Sequence, residues 1–216
     1  MANCFLITDD HPLHSKALGC YLEKDLEDKC IGCFTNIKST LDYLTQCGKD
    51  EIPQYAIIDI NLGKEDGLEL IKTIHKNYRS IGIICYSMYT TPGYVSKAKA
   101  AGSRGYVSKT AAESELIKCI KTVVMGGHYI EDILQQNLEI YTDMMMSLTK
   151  REVEIAELVL QNYNNKQIAE KLFLSRNSVA NYISSIYEKV LGVVDNTNEE
   201  DKRQKLIEIL NSVENK

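Results

Sequence analysis

Most of the N-terminal half alternates between short apolar runs and longer amphipathic stretches, and this alternation is the strongest constraint on the fold. Five runs rich in Ile, Val and Cys have the length and composition of strands: 4–8, 30–34, 55–60, 81–86 and 105–107. Between them lie stretches with helical spacing of apolar residues: 13–26, 37–44, 68–74, 95–101 and 116–124. Strands and helices in this order imply crossover connections, so we predict a doubly wound α/β domain with a five-stranded parallel sheet over residues 1–127.

The strand signal stops in the C-terminal part of the chain. Residues 128–146 are predicted to be a linker that is partly helical, and residues 147–216 a small all-α domain. Thr149 is a candidate N-cap, and Glu152 completes a capping box three residues later. Further helices are expected at 166–172, at 176–190 after the candidate N-cap Ser175, and at 199–213. Short helices separated by tight polar turns indicate a helix-turn-helix module.

Composition excludes several classes of protein. The net charge is −5 and the hydrophobic fraction is 44%, which is ordinary for a globular protein. The longest apolar runs have four or five residues, such as 4–7, whereas a membrane-spanning helix needs about 20. The start of the chain has neither a basic region nor a long apolar stretch, so no signal peptide is expected. The seven cysteines are an odd number, which favours reduced thiols and a cytoplasmic protein.

Two of these cysteines form a CxxC pattern, Cys30 and Cys33, inside the second predicted strand. Such a pattern can mark a redox or zinc site. Residues three apart in a regular strand point to opposite faces of the sheet, however. No second cysteine pair or histidine cluster completes a set of four ligands. We therefore expect both cysteines to be structural.

Polar side chains stand at or just after the ends of four of the predicted strands, and this is where open parallel sheets bind ligands. They are Asp9, Asp10, Asp59, Ser87 and Lys109. Any one of them alone is more easily explained as a solvated loop residue. Three carboxylates at close range favour a divalent cation such as Mg²⁺, and a carboxylate can attack phosphorus to form an aspartyl phosphate. A hydroxyl and an ammonium then suit the phosphoryl oxygens. The set predicts reversible phosphorylation of an aspartate.

Residues 1–127 resemble the receiver domain of two-component response regulators. The resemblance rests on four stretches: 8–12 (TDDHP), 58–62 with 66–67 (IDINL and DG), Ser87, and 101–109 (AGSRGYVSK). It implies that Asp59 accepts a phosphoryl group from a sensor histidine kinase. It implies that Asp9 or Asp10, with Asp59 and the backbone carbonyl of Asn61, holds Mg²⁺. It also implies that Lys109 binds the phosphate and that Ser87 and Tyr106 form a switch pair. The sequence departs from the family at 63–64, where Gly-Lys stands in place of a frequent Pro.

Residues 148–193 resemble the LuxR-type helix-turn-helix of NarL/FixJ-class regulators. The matching runs are 148–152 (LTKRE), 165–169 (NKQIA), 174–175 with 178–179 (LS and SV), and 187–193 (YEKVLGV). In such a motif the second helix lies in the major groove with its first residues at base edges. The candidate base contacts are Arg176, Asn177, Asn181 and Tyr182, because Arg and Asn match guanine and adenine edges. The candidate phosphate contacts are Lys166, Ser178 and Lys189.

The whole pattern predicts a phosphorylation-gated transcription regulator that binds double-stranded DNA as a homodimer when phosphorylated, and not an enzyme. Two departures keep a second hypothesis open. Ala180 and Tyr182 stand where the family often has Lys and His, and residues 147–216 carry 10 basic and 11 acidic residues. DNA-binding domains usually present a basic face. The alternative is a signalling adaptor, in which phosphorylation controls protein contacts without DNA binding.

Overall fold

The computed structural model describes residues 3–48 and 51–191, together with 201, 203, 204, 206 and 207. The chain divides into two compact units, Met1–Leu134 and Gln135–Lys216.

The first unit is built on a parallel sheet. Its strands are β1 (Cys4–Thr8), β2 (Lys29–Phe34), β3 (Tyr55–Ile58), β6 (Gly82–Ser87), β7 (Gly105–Ser108) and β8 (Tyr129–Ile130), in the spatial order β2-β1-β3-β6-β7-β8. A separate antiparallel hairpin, β4 (Asn61–Leu62) with β5 (Glu65–Asp66), lies in the chain between β3 and the next helix. The order confirms the doubly wound α/β fold that the sequence predicts.

The number of strands in the prediction was wrong, because the sheet has six strands and not five. The additional strand, β8, pairs in parallel with β7 through Gly105 and Tyr106. It falls in the segment that we predicted to be linker. Two residues are too few to show the period of a strand, so no sequence pattern indicates it. Glu131 fixes the end of β8 by accepting a hydrogen bond from the Ser108 N–H at 2.9 Å.

Five helices connect or follow the strands of this unit: α1 (Pro12–Leu26), α2 (Ile37–Gln46), α3 (Gly67–Asn77), α4 (Pro92–Ala101) and α5 (Glu113–Val124). Proline opens α1 and α4, where its fixed φ suits the first turn and its missing N–H costs no bond. Side-chain caps open α2 and α3: Asn36 accepts a hydrogen bond from the Ser39 N–H, and Asp66 accepts one from the Leu68 N–H. These local signals begin the helices close to where the apolar spacing predicts them.

The core lies on the sheet faces because strand side chains alternate. On one face, strand residues such as Phe5, Ile57 and Val107 pack with Leu22 of α1 and Ile120 of α5. The next residues along the same strands, such as Leu6 and Ile58, are also fully buried. Both faces of the sheet are therefore covered, as expected for continuous apolar runs in a parallel sheet.

Strand β2 contains a bulge, and this overturns the expected placement of its cysteines. Phe5 pairs with Cys30 but Leu6 pairs with Gly32, so Ile31 is an extra residue in the ladder. A bulge resets the alternation of side chains. Cys30 and Cys33 consequently project to the same side, with their Sγ atoms 3.8 Å apart. The prediction of opposite faces was wrong because it assumed a regular strand.

The second unit is helical. Helix α6 (Asp132–Met146) spans the boundary between the units and is followed by α7 (Lys150–Leu160), α8 (Asn165–Leu172) and α9 (Arg176–Leu191). The capping box of Thr149 and Glu152 is present at the start of α7, and Ser175 accepts the Ser178 N–H at 3.0 Å. Apolar residues of α7, α8 and α9 form one core, which includes Ile155, Ile168 and Ile183. Residues 201, 203, 204, 206 and 207 are helical, while the rest of the predicted helix 199–213 and residues 192–193 of the matching run lie outside the described residues.

Candidate phosphoacceptor site and nucleic-acid interface

The acidic residues meet at the carboxyl end of the sheet. Asp9 and Asp59 directly follow the adjacent strands β1 and β3, and both are buried. The Asp59 N–H donates to the carbonyl of Thr8 at 2.9 Å, which holds the two strand ends together. Lys109 bridges the two carboxylates, with Nζ 2.8 Å from Asp9 Oδ2 and 2.6 Å from Asp59 Oδ2. The structure thus brings together residues that the sequence separates by up to 100 positions.

These contacts fix the charges of the site. Burial acts to raise the pKa of Asp9, but hydrogen bonds from the Lys109 ammonium, the His11 N–H and the His14 ring outweigh it, so the pKa lies below its ordinary value. Burial acts to lower the pKa of Lys109, and the carboxylates of Asp59 and Asp9 raise it above its ordinary value. Both shifts favour the charged forms. An anion beside a cation is therefore maintained at neutral pH.

Asp59 receives two further hydrogen bonds at its other oxygen. The Ser87 hydroxyl donates to Oδ1 at 2.6 Å, and the Asn61 N–H donates to the same atom at 3.2 Å. The helix that follows begins unusually close to this residue, since a Cβ on Gly67 would lie 2.0 Å from the Asp59 carbonyl oxygen. Glycine is required at that position for the backbones to approach.

The loop after Asp59 lacks the proline frequent in the family, and a hairpin takes its place. Gly63 adopts φ +72° at the turn between β4 and β5, a conformation that glycine accepts readily. The side chain of Glu65 accepts a hydrogen bond at 2.8 Å from the N–H of Ile37, which is the first residue of α2. A carboxylate is favourable at a helix N-terminus. The loop is thus anchored at two points without proline.

Tyr106, the candidate switch aromatic, is 2% exposed. Its hydroxyl donates to the backbone carbonyl of Tyr89, and the ring of Tyr89 stacks on Tyr94 of α4 with centroids 4.5 Å apart. Ser87 lies two residues before Tyr89, and its Oγ accepts the Tyr89 N–H at 3.4 Å. A continuous chain of contacts therefore joins Asp59 to α4 through Ser87 and Tyr89, and Tyr106 contacts this chain at Tyr89.

Two carboxylates and a histidine offer a set of ligands for a cation. Asp9, Asp10 and His11 each place one ligand atom within 4.8 Å of the others. Oδ1 of Asp10 is buried and lies 2.8 Å from Nδ1 of His11, but it accepts no hydrogen bond from the described residues. Oxygen ligands of this kind suit a hard cation such as Mg²⁺. An acidic pocket that fits the ion is present.

Two histidines that were not among the residues predicted for this site also contact it. Nδ1 of His14 lies 2.8 Å from Asp9 Oδ2, and Nδ1 of His11 lies 3.2 Å from Asp9 Oδ1. His14 also stacks on Tyr86, with ring centroids 6.0 Å apart. The short distance of both histidines from Asp9 in the sequence is the one sequence signal, because the first turn of α1 follows the end of β1 closely in the chain.

The second unit presents a polar helix face. Arg176, Asn177 and Asn181 are exposed on α9, whereas Val179 and Ile183 on the other side of the helix are buried. Neither asparagine amide has a hydrogen-bond partner among the described residues. Tyr182 is half-buried and packs against the helical core. The exposed residues are therefore available for an external contact, and Tyr182 is only partly so.

The candidate phosphate contacts differ in their surroundings. Lys166 is exposed, with Nζ 3.9 Å from Glu170, and Ser178 shares a hydrogen bond with Ser175 at 2.8 Å. Lys189 instead places Nζ 2.8 Å and 2.7 Å from the two carboxylate oxygens of Glu152, which is 3% exposed. Burial acts to raise the pKa of Glu152, but hydrogen bonds from Lys189, Thr149 and Ser185 lower it to about 2. Lys189 thus joins α9 to α7.

The first unit is a parallel α/β domain with a buried aspartate, an ammonium and a hydroxyl at its carboxyl edge, and a helix-turn-helix follows it in the chain. This combination defines a signal-receiver domain joined to a module of the nucleic-acid-binding class. Residues 5–121 match the response regulator receiver domain, and residues 146–197 match the luxR family of bacterial regulatory proteins. The chain belongs to the response regulators of two-component systems, in the NarL/FixJ class of DNA-binding transcription regulators.

Individual relatives span nearly the whole chain. The transcriptional regulatory protein DesR of Bacillus subtilis is 31% identical over 184 residues, which cover 85% of this chain and 88% of DesR. The transcriptional regulatory protein DegU of Brevibacillus brevis is 25% identical over 225 residues, covering 94% and 91%. RcsB from Salmonella enterica serovar Typhimurium, solved on promoter P1flhDC with the phosphomimetic BeF3⁻, aligns with a TM-score of 0.70 at 23% identity, over 99% of this chain and 100% of RcsB. The likeness to RcsB supports the fold.

The helices of the described residues include none that combines the length and the apolar character needed to cross a membrane.

Proposed function

We propose that this regulator is switched by phosphorylation of Asp59 and that its α9 reads DNA. The observation that carries the proposal is the convergence on Asp59 of Lys109 at 2.6 Å and Ser87 at 2.6 Å. Both groups suit the oxygens of a phosphoryl group. A sensor histidine kinase is the proposed donor, and the cytoplasm, where the DNA lies, is the proposed place of action. No turnover of a small molecule is proposed.

The proposed phosphoryl transfer uses groups that already contact Asp59. A carboxylate oxygen of Asp59 attacks the phosphorus of a phosphohistidine, the new P–O bond forms, the P–N bond breaks, and the electron pair returns to the histidine nitrogen. The Lys109 ammonium and the Ser87 hydroxyl, which now bind the carboxylate, then bind phosphoryl oxygens. When Ser87 turns toward the phosphoryl group, its contact with Tyr89 changes. The contacts of Tyr89 with Tyr106 and Tyr94 then transmit that change to α4.

Mg²⁺ is the proposed cofactor, held by Asp9, Asp10, Asp59 and the backbone carbonyl of Asn61. When bound it neutralises negative charge around the transferring phosphoryl group. We expect millimolar Mg²⁺ to raise the thermal midpoint of unfolding, because a ligand that binds only the folded state stabilises it. Asp10→Asn should lose most of this increase, since it removes one ligand charge. Asp66→Asn, an exposed residue of the neighbouring loop, should keep it. Equal increases in all three proteins would contradict the assignment of Asp10.

The DNA contacts proposed are Arg176, Asn177, Asn181 and, in part, Tyr182 at base edges, with Lys166 and Ser178 at phosphates. Exposed amides and a guanidinium at the start of a helix suit bidentate bonds to adenine and guanine. Lys189 remains a proposed phosphate contact, but it must leave Glu152 to make one. We propose a homodimer on DNA in the phosphorylated state, with recognition helices about one helical turn apart.

The test of the whole proposal is DNA binding by the full chain. Duplexes are selected from a random pool with beryllofluoride and Mg²⁺, and their affinity is measured by fluorescence anisotropy at two salt concentrations. We expect beryllofluoride to tighten binding and salt to weaken it by about tenfold or more between 50 and 200 mM, because phosphate contacts release counterions. No salt-sensitive binding in either state would favour the adaptor hypothesis instead.

Two variants separate the types of contact. Arg176→Ala should weaken binding about 5- to 150-fold and relax the preference at one base position, as expected for a lost base contact of about 1–3 kcal/mol. Lys166→Ala should weaken binding to all sequences alike and reduce the salt slope by about 1. Lys72→Ala, which removes an exposed charge from α3 of the first unit, is the control and should change neither. Identical behaviour of Arg176→Ala and Lys72→Ala would contradict the assignment of Arg176.

A further inference from the structure

The CxxC segment of β2 forms a pair of neighbouring thiols that the phosphorylation site does not use. The bulge at Ile31 allows Cys30 to Cys33 to span only two residues of the partner strand, Phe5 to Ile7. At about 3.3 Å per residue this places the two Cα atoms about 6.6 Å apart along the strand. That spacing lies within the range of about 4.4–6.8 Å that a disulfide accepts. A regular strand would hold them too far apart.

The thiols already face each other. Their Sγ atoms lie 3.8 Å apart and share a hydrogen bond, and the Cys33 thiol donates to the Ser15 carbonyl of α1 at 3.5 Å. Forming an S–S bond of about 2.05 Å requires each sulfur to move by about 0.9 Å, which side-chain rotation can supply.

The helix above the thiols leaves room for them. Gly19 of α1 faces the pair, and a Cβ there would lie 3.2 Å from Cys30 Sγ and 3.6 Å from Cys33 Sγ. Both cysteines are half-buried, and the surrounding structure keeps their sulfurs adjacent.

We propose that Cys30 and Cys33 form a reversible intrachain disulfide when a small-molecule disulfide oxidises them. One thiolate attacks a sulfur of the oxidant and releases one small thiol. The other cysteine then attacks the mixed disulfide and releases the second small thiol. The two cysteines lose two protons and two electrons, and the oxidant is reduced to two thiols.

The chemistry of the pair indicates a slow response. Burial and the neighbouring Cys33 raise the pKa of Cys30 to about 12, so very little of Cys30 is thiolate at neutral pH. Oxidation of the pair is therefore slow, and the pair responds to sustained oxidation rather than to a brief exposure. Once one mixed disulfide forms, the adjacent thiol closes the ring faster than a free thiol can, because it acts at a high effective concentration.

The test uses the full chain with its native cysteines. The protein is incubated in glutathione redox buffers, free thiols are alkylated, and tryptic peptides are weighed. Trypsin cuts after Lys29 and Lys38, so peptide 30–38 contains both thiols of the pair and no other cysteine, while peptide 17–24 contains Cys20 alone. Cys20 is exposed and serves as the internal control.

We expect peptide 30–38 to lose about 2 Da without gaining glutathione. This oxidised form should be in at least about tenfold excess over the glutathionylated forms of the same peptide, and dithiothreitol should reverse the change. Peptide 17–24 should gain one glutathione. Cys33→Ser should leave peptide 30–38 with glutathione on Cys30. Independent glutathionylation of both thiols in the native chain, or a fully reduced pair when Cys20 is modified, would overturn the proposal.

Discussion

Asp59→Asn is expected to incorporate phosphoryl groups at least about 100-fold more slowly than the parent chain. A carboxylate oxygen is the proposed nucleophile, and the amide that replaces it is a far weaker one. The substitution preserves shape, and its amide oxygen still accepts from Ser87, whose hydroxyl lies 2.6 Å from Asp59 Oδ1. Asp9 stays as a counter-ion for Lys109 at 2.8 Å. Folding should therefore survive, and the loss should be one of chemistry.

The measurement is the mass of the intact chain after incubation with phosphoramidate and Mg²⁺, which supply the phosphoryl group without a kinase. Asp42→Asn is the matched control, because Asp42 is exposed on α2 and pairs with Lys38. It should accept one phosphoryl group as the parent does. Unreduced labelling of Asp59→Asn would show that another group, with Asp9 and Asp10 as the nearest carboxylates, is the acceptor.

Local sequence signals were sufficient to predict the five longer strands of the sheet and most of the helices. The inner strands of a parallel sheet are continuous apolar runs, and the caps at Thr149 and Ser175 begin helices that the apolar spacing also predicts. The position of each polar residue at a strand end then places Asp9, Asp59 and Lys109 at one edge. This step needs only the rule that parallel strands end together, which is why the site could be predicted without a structure.

Features that depend on irregular or distant contacts could not be predicted in this way. The strand β8 has two residues and no period, and the bulge at Ile31 is seen only in the register of β2 with β1. The contact of His14 with Asp9 depends on the angle at which α1 leaves the sheet. The pairing of Lys189 with Glu152 joins residues 37 positions apart, and no local pattern reports it.

The ion pair between Lys189 and Glu152 leads to the second prediction with a large expected effect. Glu152→Gln is expected to destabilise the second unit by about 2–3 kcal/mol at neutral pH, a value discounted because Lys189 is 37% exposed. The variant loses the charge that Lys189, Thr149 and Ser185 contact, and its NH₂ group faces donors. Amide exchange measured by mass spectrometry on peptides of α7 and α9 should accelerate about 30- to 150-fold.

The effect should also depend on pH in a defined direction. The pKa of Glu152 is about 2 in the folded chain against an ordinary value of 4.5, so the carboxylate stabilises the unit above about pH 5 and loses this contribution as the pH falls toward 2. The difference between parent and Glu152→Gln should therefore shrink by more than half by about pH 3. Glu154→Gln, on the same helix but with its side chain 53% exposed, should change exchange little at either pH. A difference between parent and Glu152→Gln that stays constant with pH would mean that the substitution acts through packing, and that the ion pair with Lys189 does not hold α9 on α7.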